Sequence, residues 1–335
     1  NYLREIFIDS ETTVAMMSGI PAGNTASQSI SNDGMAATCA MVNELGSSQR
    51  CITQGMLTPN FPDTAVTGEL GTLVRDMEHL KTDLDIRALK CYTGAGGPGS
   101  AFPHPGWWLD DEDIAYPMYE EATRLGIDVV NVHKGFEQGV FDPEFCGVRD
   151  VPKAVRDWPD LNFVVFHSAV DLPPYQRYFD DLIELRTNEI PDATNVYAEL
   201  GGAWATRVQQ GGDAAGHFLG RLLLSFGERQ ILWGTDAIWF GSPQWQINAF
   251  KAFTMPPRLI EEFGYPEVTD EIKARILGLN AAELYGVDPD DARCVVPGDV
   301  IQETKAAVAE EALASPTLRT YGPRTRREFL THLAR

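Results

Sequence analysis

Ile231-Leu232-Trp233-Gly234-Thr235-Asp236 is a short apolar run that stops on a small residue, a hydroxyl and a carboxylate. Preceded by polar Glu228-Arg229-Gln230, it reads as a strand buried on both faces. A carboxylate buried unpaired at the end of such a strand is costly, so Asp236 should meet a cation, a proton or hydrogen-bond donors. Whether it is a satisfied structural residue or part of a site depends on how the other strands end.

Working outward, apolar runs of the same kind begin near residues 14, 51, 86, 128, 162, 195 and 231. Helical patterns fill the gaps, at residues 32–45, 70–84, 110–125, 150–157, 174–189 and 214–226. Regular alternation of this kind predicts a parallel sheet with helices outside. Two closures are open, a doubly wound sheet or a (β/α)8 barrel. No GxGxxG follows the first strand, and polar residues end nearly every strand instead of gathering at one switch point. Both points favour the barrel. Only seven strands are read, and residues 1–9 resemble the tail of a helix or an extended entry. The expectation is a distorted (β/α)8 TIM barrel over residues 1–290, carrying strands two to eight with the first strand missing from this chain. Residues 291–335 are expected to be a C-terminal helical extension, with helices at 299–313 and 324–333.

Five consecutive apolar runs stop at a titratable residue: Lys90, His133, His167, Glu199 and Asp236. In a parallel barrel such stops lie on the C-terminal rim, where active sites of this fold are built. Imidazoles and carboxylates in one mouth suit a divalent metal, with zinc the first choice. The same His and Asp also make a metal-free acid–base site. Ser168 follows His167, but no GxSxG is present to make it a nucleophile. Trp107, Trp108 and Trp239 are candidates for a substrate wall, and Trp is equally at home in cores. His104 reads as an exposed loop residue. His79, His217 and His332 read as structural. The Gly-rich run 94–99 after the third strand suggests an active-site loop, and no Lys-Ser/Thr pair completes a P-loop.

Composition narrows the partners. The 335 residues carry a net charge of −21 and a pI near 4.6, which argues against nucleic acid and anionic membranes. No run reaches the roughly 18 apolar residues of a membrane span. Five cysteines without a CxxC pair read as reduced, buried thiols, so a cytoplasmic setting is expected. Arg326-Arg327 resembles a twin-arginine motif, yet near the C-terminus it reads as helix surface. A small-molecule substrate and a homodimer or higher homo-oligomer complete the expectation.

Val132-His133, Phe166-His167 and Leu232-Trp233-Gly234-Thr235-Asp236, in that order at barrel spacing, resemble the amidohydrolase superfamily in its amidohydrolase-related branch. The resemblance covers roughly residues 13–286, and the Gly-Thr-Asp strand end is its most specific part. It implies a metal-dependent hydrolase in which metal-activated water attacks a carbonyl-type centre. His133, His167 and Asp236 fall at metal-ligand positions, and Asp236 and His167 at catalytic ones. Lys90, Glu199, Trp239 and Trp108 are the matching substrate-binding candidates. The branch also contains nonoxidative decarboxylases, which makes removal of a carboxylate from a small carboxylated substrate, aromatic ones included, the runner-up. An inactive barrel with a binding or assembly role is a third reading. The family's first strand carries His-x-His, and no two of the six histidines here stand two apart.

Overall fold

The computed structural model describes residues 2–20, 30–59, 70–94, 106–136, 141–171, 177–237, 239–293 and 296–314. His104, His332, most of the Gly-rich run and the helix expected at 324–333 lie outside them. The elements alternate as the sequence predicts. In order they are β1 (Ala15–Met17), α1 (Asn32–Gly46), β2 (Cys51–Met56), α2 (Leu70–Thr82), β3 (Ala88–Tyr92), α3 (Tyr116–Leu125) and β4 (Val129–His133). Then follow α4 (Val151–Asp157), β5 (Asn162–Phe166), α5 (Arg177–Asn188), β6 (Val196–Glu199), α6 (Ala203–Gln210), α7 (Gly212–Phe226) and β7 (Ile231–Leu232). The chain continues through α8 (Pro243–Ala252), α9 (Pro257–Phe263), α10 (Asp270–Ala274), α11 (Asn280–Tyr285), α12 (Pro289–Arg293) and α13 (Val300–Ala314).

The seven strands form one sheet in chain order, and β2 through β6 pair parallel, each with the next. Sequential parallel strands joined through helices are the topology of a (β/α)8 barrel, here distorted and with helices added after the last strand. Residues 1–9, read as the tail of a helix or an extended entry, hold a short helical segment at Arg4–Ile8.

Three local expectations are corrected. The helix expected at 110–125 begins only at Tyr116. Pro117 lacks an N–H and is tolerated only in a first helical turn, so it fixes the start there. The strand read at 231–236 pairs only over Ile231–Leu232, and the chain leaves the ladder before Asp236. Cys91 and Cys146 are buried and outside any disulfide, as expected, whereas Cys39 and Cys51 are disulfide-bonded. Spacing alone does not reveal a disulfide. Among the described residues no helix is long and apolar enough to cross a membrane.

Contacts divide the chain into two compact units. One comprises Met16–Cys39 and Ile52–Glu199. Its strands β2, β3 and β4 are buried along their whole length, as expected for strands covered on both faces. Under α3, Tyr119 meets Phe163 and Trp158 edge to face at 5.5 and 5.4 Å.

The other unit comprises Asn1–Ala15, Ala40–Cys51 and Leu200–Arg335. Here Trp204 packs edge-on against Phe250 and Phe253, and its indole N–H donates to the Gln246 carbonyl at 3.3 Å. Gly220 of α7 lets the helix approach Tyr265: a Cβ there would lie 2.3 Å from the ring. Asn280 ties β7 down by donating from Nδ2 to the carbonyls of Glu228 and Ile231 at 2.7 and 2.8 Å. The buried pair Arg50–Asp299, 2.5 Å apart, anchors the segment before α13.

Candidate active site

Strand register places the titratable residues in layers. Tyr92, His133 and Phe166 are level at the C-terminal ends of β3, β4 and β5. Lys90 pairs with Asn131 one layer deeper, because β3 runs two residues past it to Tyr92. The apolar run of β3 therefore does not stop at the lysine. Alternation puts Lys90, Tyr92, Asn131, His133 and Phe166 on one face. Below them Asn131 Nδ2 donates to Gln54 Oε1 at 3.0 Å, so the buried layer carries satisfied polar groups.

His167 breaks this alternation. One residue beyond Phe166, a continued pleat would turn its ring to the opposite face. Instead His167, Ser168 and Ala169 all adopt positive φ, at 60°, 48° and 52°. Three successive left-handed non-glycine residues cost roughly 1–2 kcal/mol each. The turn closes with Val170 N–H donating to the His167 carbonyl at 2.9 Å. It brings His167 Nε2 to 3.1 Å from His133 Nδ1, with the rings edge to face at 4.8 Å. Glu199 at the end of β6 accepts the His167 backbone N–H at 2.9 Å, and its carbonyl accepts Ser168 Oγ–H at 2.9 Å.

Aromatic rings surround the two imidazoles. Tyr92 stacks on His133 at 4.7 Å and Phe141 lies 4.6 Å from it, while Phe136 meets His167 at 4.7 Å. The Lys90 ammonium lies 3.0 Å from the Phe166 ring centroid and 5.1 Å from that of Tyr92. Burial, then His167, then Lys90 hold the His133 pKa well below the usual histidine range. His133 is neutral and keeps a lone pair.

The loop after β4 is fixed from several sides. Lys134 and Asp150 form an ion pair of 2.7 Å with both side chains fully buried. Asp150 Oδ2 also accepts the Leu109 N–H at 2.8 Å, and Lys134 donates to the Phe145 carbonyl at 3.2 Å. Gly135, at φ +69°, fits against the 167–169 turn, where a Cβ would lie 2.5 Å from the Ala169 carbonyl carbon. Phe136 N–H donates to the Val170 carbonyl at 3.0 Å. Sequence reasoning missed Lys134, Asp150, Tyr92, Phe136 and Phe141. The one signal present was a charged residue directly after His133 at the end of an apolar run.

Other sequence candidates have different surroundings. Trp108 is half-buried, with the Arg149 guanidinium 3.7 Å over its ring and Phe145 at 4.8 Å. Trp239 is 67% exposed. Asp236 belongs to the second unit, where it too is left-handed, at φ +51°, and half-buried. Gln246 Nε2 donates to the preceding Thr235 carbonyl at 2.8 Å. Both residues expected to be catalytic, His167 and Asp236, thus occupy conformations that non-glycine residues rarely adopt, and such strain concentrates at functional sites.

The resemblance implies a divalent metal, and the chemistry of His133 fits one. Its Nε2 is buried without a hydrogen-bond partner, while Nδ1 is engaged by a second group. Metal-binding imidazoles are arranged in this way, one nitrogen free and the other oriented. Among the described residues, no group of three or more His, Cys, Asp or Glu stands close enough together to hold an ion.

A family model described as amidohydrolase matches residues 84–287. No curated protein matches. Among solved structures, the chain is similar to dihydroorotase from Saccharomyces cerevisiae in complex with 5-fluoroorotic acid. The identity is 13%, with 87% of this chain and 81% of that one covered and a TM-score of 0.51. A probable 2-pyrone-4,6-dicarboxylic acid hydrolase from Acinetobacter baumannii matches at 14% identity, 82% and 84% coverage and TM-score 0.49. A 2,6-dihydroxybenzoate decarboxylase matches at 15%, 77% and 76%, and 0.48. At such identities the dihydroorotase likeness supports the fold alone.

Proposed function

The chain belongs to the amidohydrolase family, and we propose that it is a metal-dependent hydrolase acting on a carbonyl-type centre of a small substrate. The observation that carries this reading is the buried imidazole pair, with His133 neutral, its Nδ1 on His167 and its Nε2 unpartnered. An orphaned buried N–H is rarer than an orphaned lone pair. His133 therefore carries its proton on Nδ1, donates it to His167 Nε2, and presents the Nε2 lone pair. When bound there, a divalent ion, zinc by the ligand preferences of imidazole, supplies Lewis acidity that activates water and polarises the carbonyl.

The chain's own residues do the rest. His133 would hold the ion through Nε2, and His167 fixes the orientation of that imidazole. By the family resemblance, Asp236 is the candidate general base. The Lys90 ammonium supplies positive charge below the imidazole layer, suited to an anionic substrate. The aromatic rings of Tyr92, Phe136 and Phe141 give the pair an apolar shell that strengthens each of these interactions.

Metal analysis of protein purified without chelators, together with turnover of His133→Ala, tests the reading. Bound metal in the parent and its loss with activity in the variant are expected. Metal-free protein whose turnover is unchanged by His133→Ala overturns it. The aromatic shell and Lys90 also favour a second reading, decarboxylation of a flat carboxylated substrate. Release of carbon dioxide, with no product of water addition, would select that reading over the hydrolase.

A further inference from the structure

Glu199 touches the left-handed turn at two points, one on each side of the His167 α-carbon. Its carboxylate takes the His167 N–H, which fixes the peptide plane entering the residue. Its carbonyl takes the Ser168 hydroxyl, which fixes the residue leaving it. With both sides held from the end of β6, the torsion between them is set, and that torsion decides which face the imidazole occupies. Phe166 before the turn is ordinary extended backbone, at φ −65° and ψ 146°. The reversal is thus confined to residues 167–169, and a relaxed turn would follow the pleat and swing His167 away from His133.

We propose that Glu199 is a positioning residue, whose paired contacts to His167 N–H and Ser168 Oγ hold the 167–169 turn left-handed and so create the His167–His133 hydrogen bond. In this role the carboxylate acts on the backbone. The same carboxylate at the strand end reads from sequence as a substrate ligand, because a side chain bonded to a neighbouring backbone leaves no trace in spacing.

The proposal rests on the imidazole pair being the working centre only for its consequence in turnover, and its test is read without substrate or metal. Nitrogen-15 spectra of the His133 and His167 rings report tautomer and the shared proton directly. In Glu199→Ala, the shared-proton signature should disappear while near-ultraviolet dichroism shows a folded protein. In Glu199→Gln, whose amide oxygen can still accept the His167 N–H, the signature should persist. A folded Glu199→Ala with the parent spectrum overturns the proposal. Should the alanine variant not fold, the glutamine variant decides: a lost signature in folded Glu199→Gln overturns it equally. Where turnover is measurable, Glu199→Ala should lose about 100-fold in kcat, the scale of a misplacement of about 1 Å. If the hydrolase reading fails but the spectra behave as described, the positioning role stands and only its catalytic consequence falls.

Discussion

Replacing Lys134 by methionine should be among the most damaging single changes in the first unit. The ammonium lies 2.7 Å from Asp150 Oδ2, and neither side chain is exposed. Lys134→Met keeps much of the side-chain volume and leaves a carboxylate without its cation in a region closed to water. Removing one partner of a buried pair costs about 3–5 kcal/mol. Asp150 would retain the Leu109 N–H at 2.8 Å, which points to the lower part of that range. Against a total stability of roughly 5–15 kcal/mol, such a loss shifts the unfolding equilibrium by about two to three orders of magnitude. Urea titration followed by fluorescence reads it, and Trp108, whose ring lies 5.5 Å from the Lys134 ammonium, gives a local signal. The double variant Lys134→Met/Asp150→Leu removes the stranded charge and should recover part of the loss, leaving only the Leu109 N–H unsatisfied. The reasoning is refuted if Lys134→Met stays within about 1 kcal/mol of the parent, or if the double variant is less stable than the single one.

Three further outcomes are expected. Gly135→Ala meets both a positive φ and the Ala169–Val170 backbone at 2.5–2.6 Å, so thermal unfolding should show a loss of stability larger than the roughly 1–2 kcal/mol of a left-handed alanine alone; a smaller effect means the turn is free to move. Because the His133 pKa is depressed, the unfolded chain takes up a proton near 6.5 that the folded chain refuses. Its contribution is therefore present at neutral pH and lost as pH falls below about 6.5, by up to about 1.36 kcal/mol per pH unit, until the folded value is reached. His79, raised mainly by Asp83 and largely exposed, acts in the opposite sense and weakly, so comparing parent with His133→Phe between pH 7.5 and 5.5 isolates the effect; equal slopes would contradict it. In the second unit, Asn280→Ala leaves the buried Ile231 carbonyl of β7 and the part-buried Glu228 carbonyl before it without their donor and should cost about 1–3 kcal/mol by thermal melting, with no change expected only if water replaces the amide.

The alternation of strands and helices was legible because it is written locally. Apolar runs of strand length separated by 3.6-period patterns have few other folds open to them, and the parallel pairing of β2 through β6 follows. His133 was legible for the same reason, as a polar stop on a buried strand. The start of α3 was misplaced because seven residues of helix-compatible composition, Asp110 to Tyr116, precede Pro117, and only the missing N–H of that proline sets the boundary.

What tertiary structure alone decided is where the side chains after a strand end point. Strand periodicity assigns His167 to the face opposite His133, and three left-handed residues held by Glu199 reverse that assignment. Lys90 looked like a rim residue because the apolar pattern breaks there, yet register puts it a layer below His133. Lys134 and Asp150 are sixteen positions apart, and no local pattern links them. Local sequence determines which segments are strands and helices, because propensity and periodicity act over a few residues. Contacts between loops fix the directions of the imidazoles and the partners of buried charges, because those energies depend on which distant groups folding brings within about 3 Å.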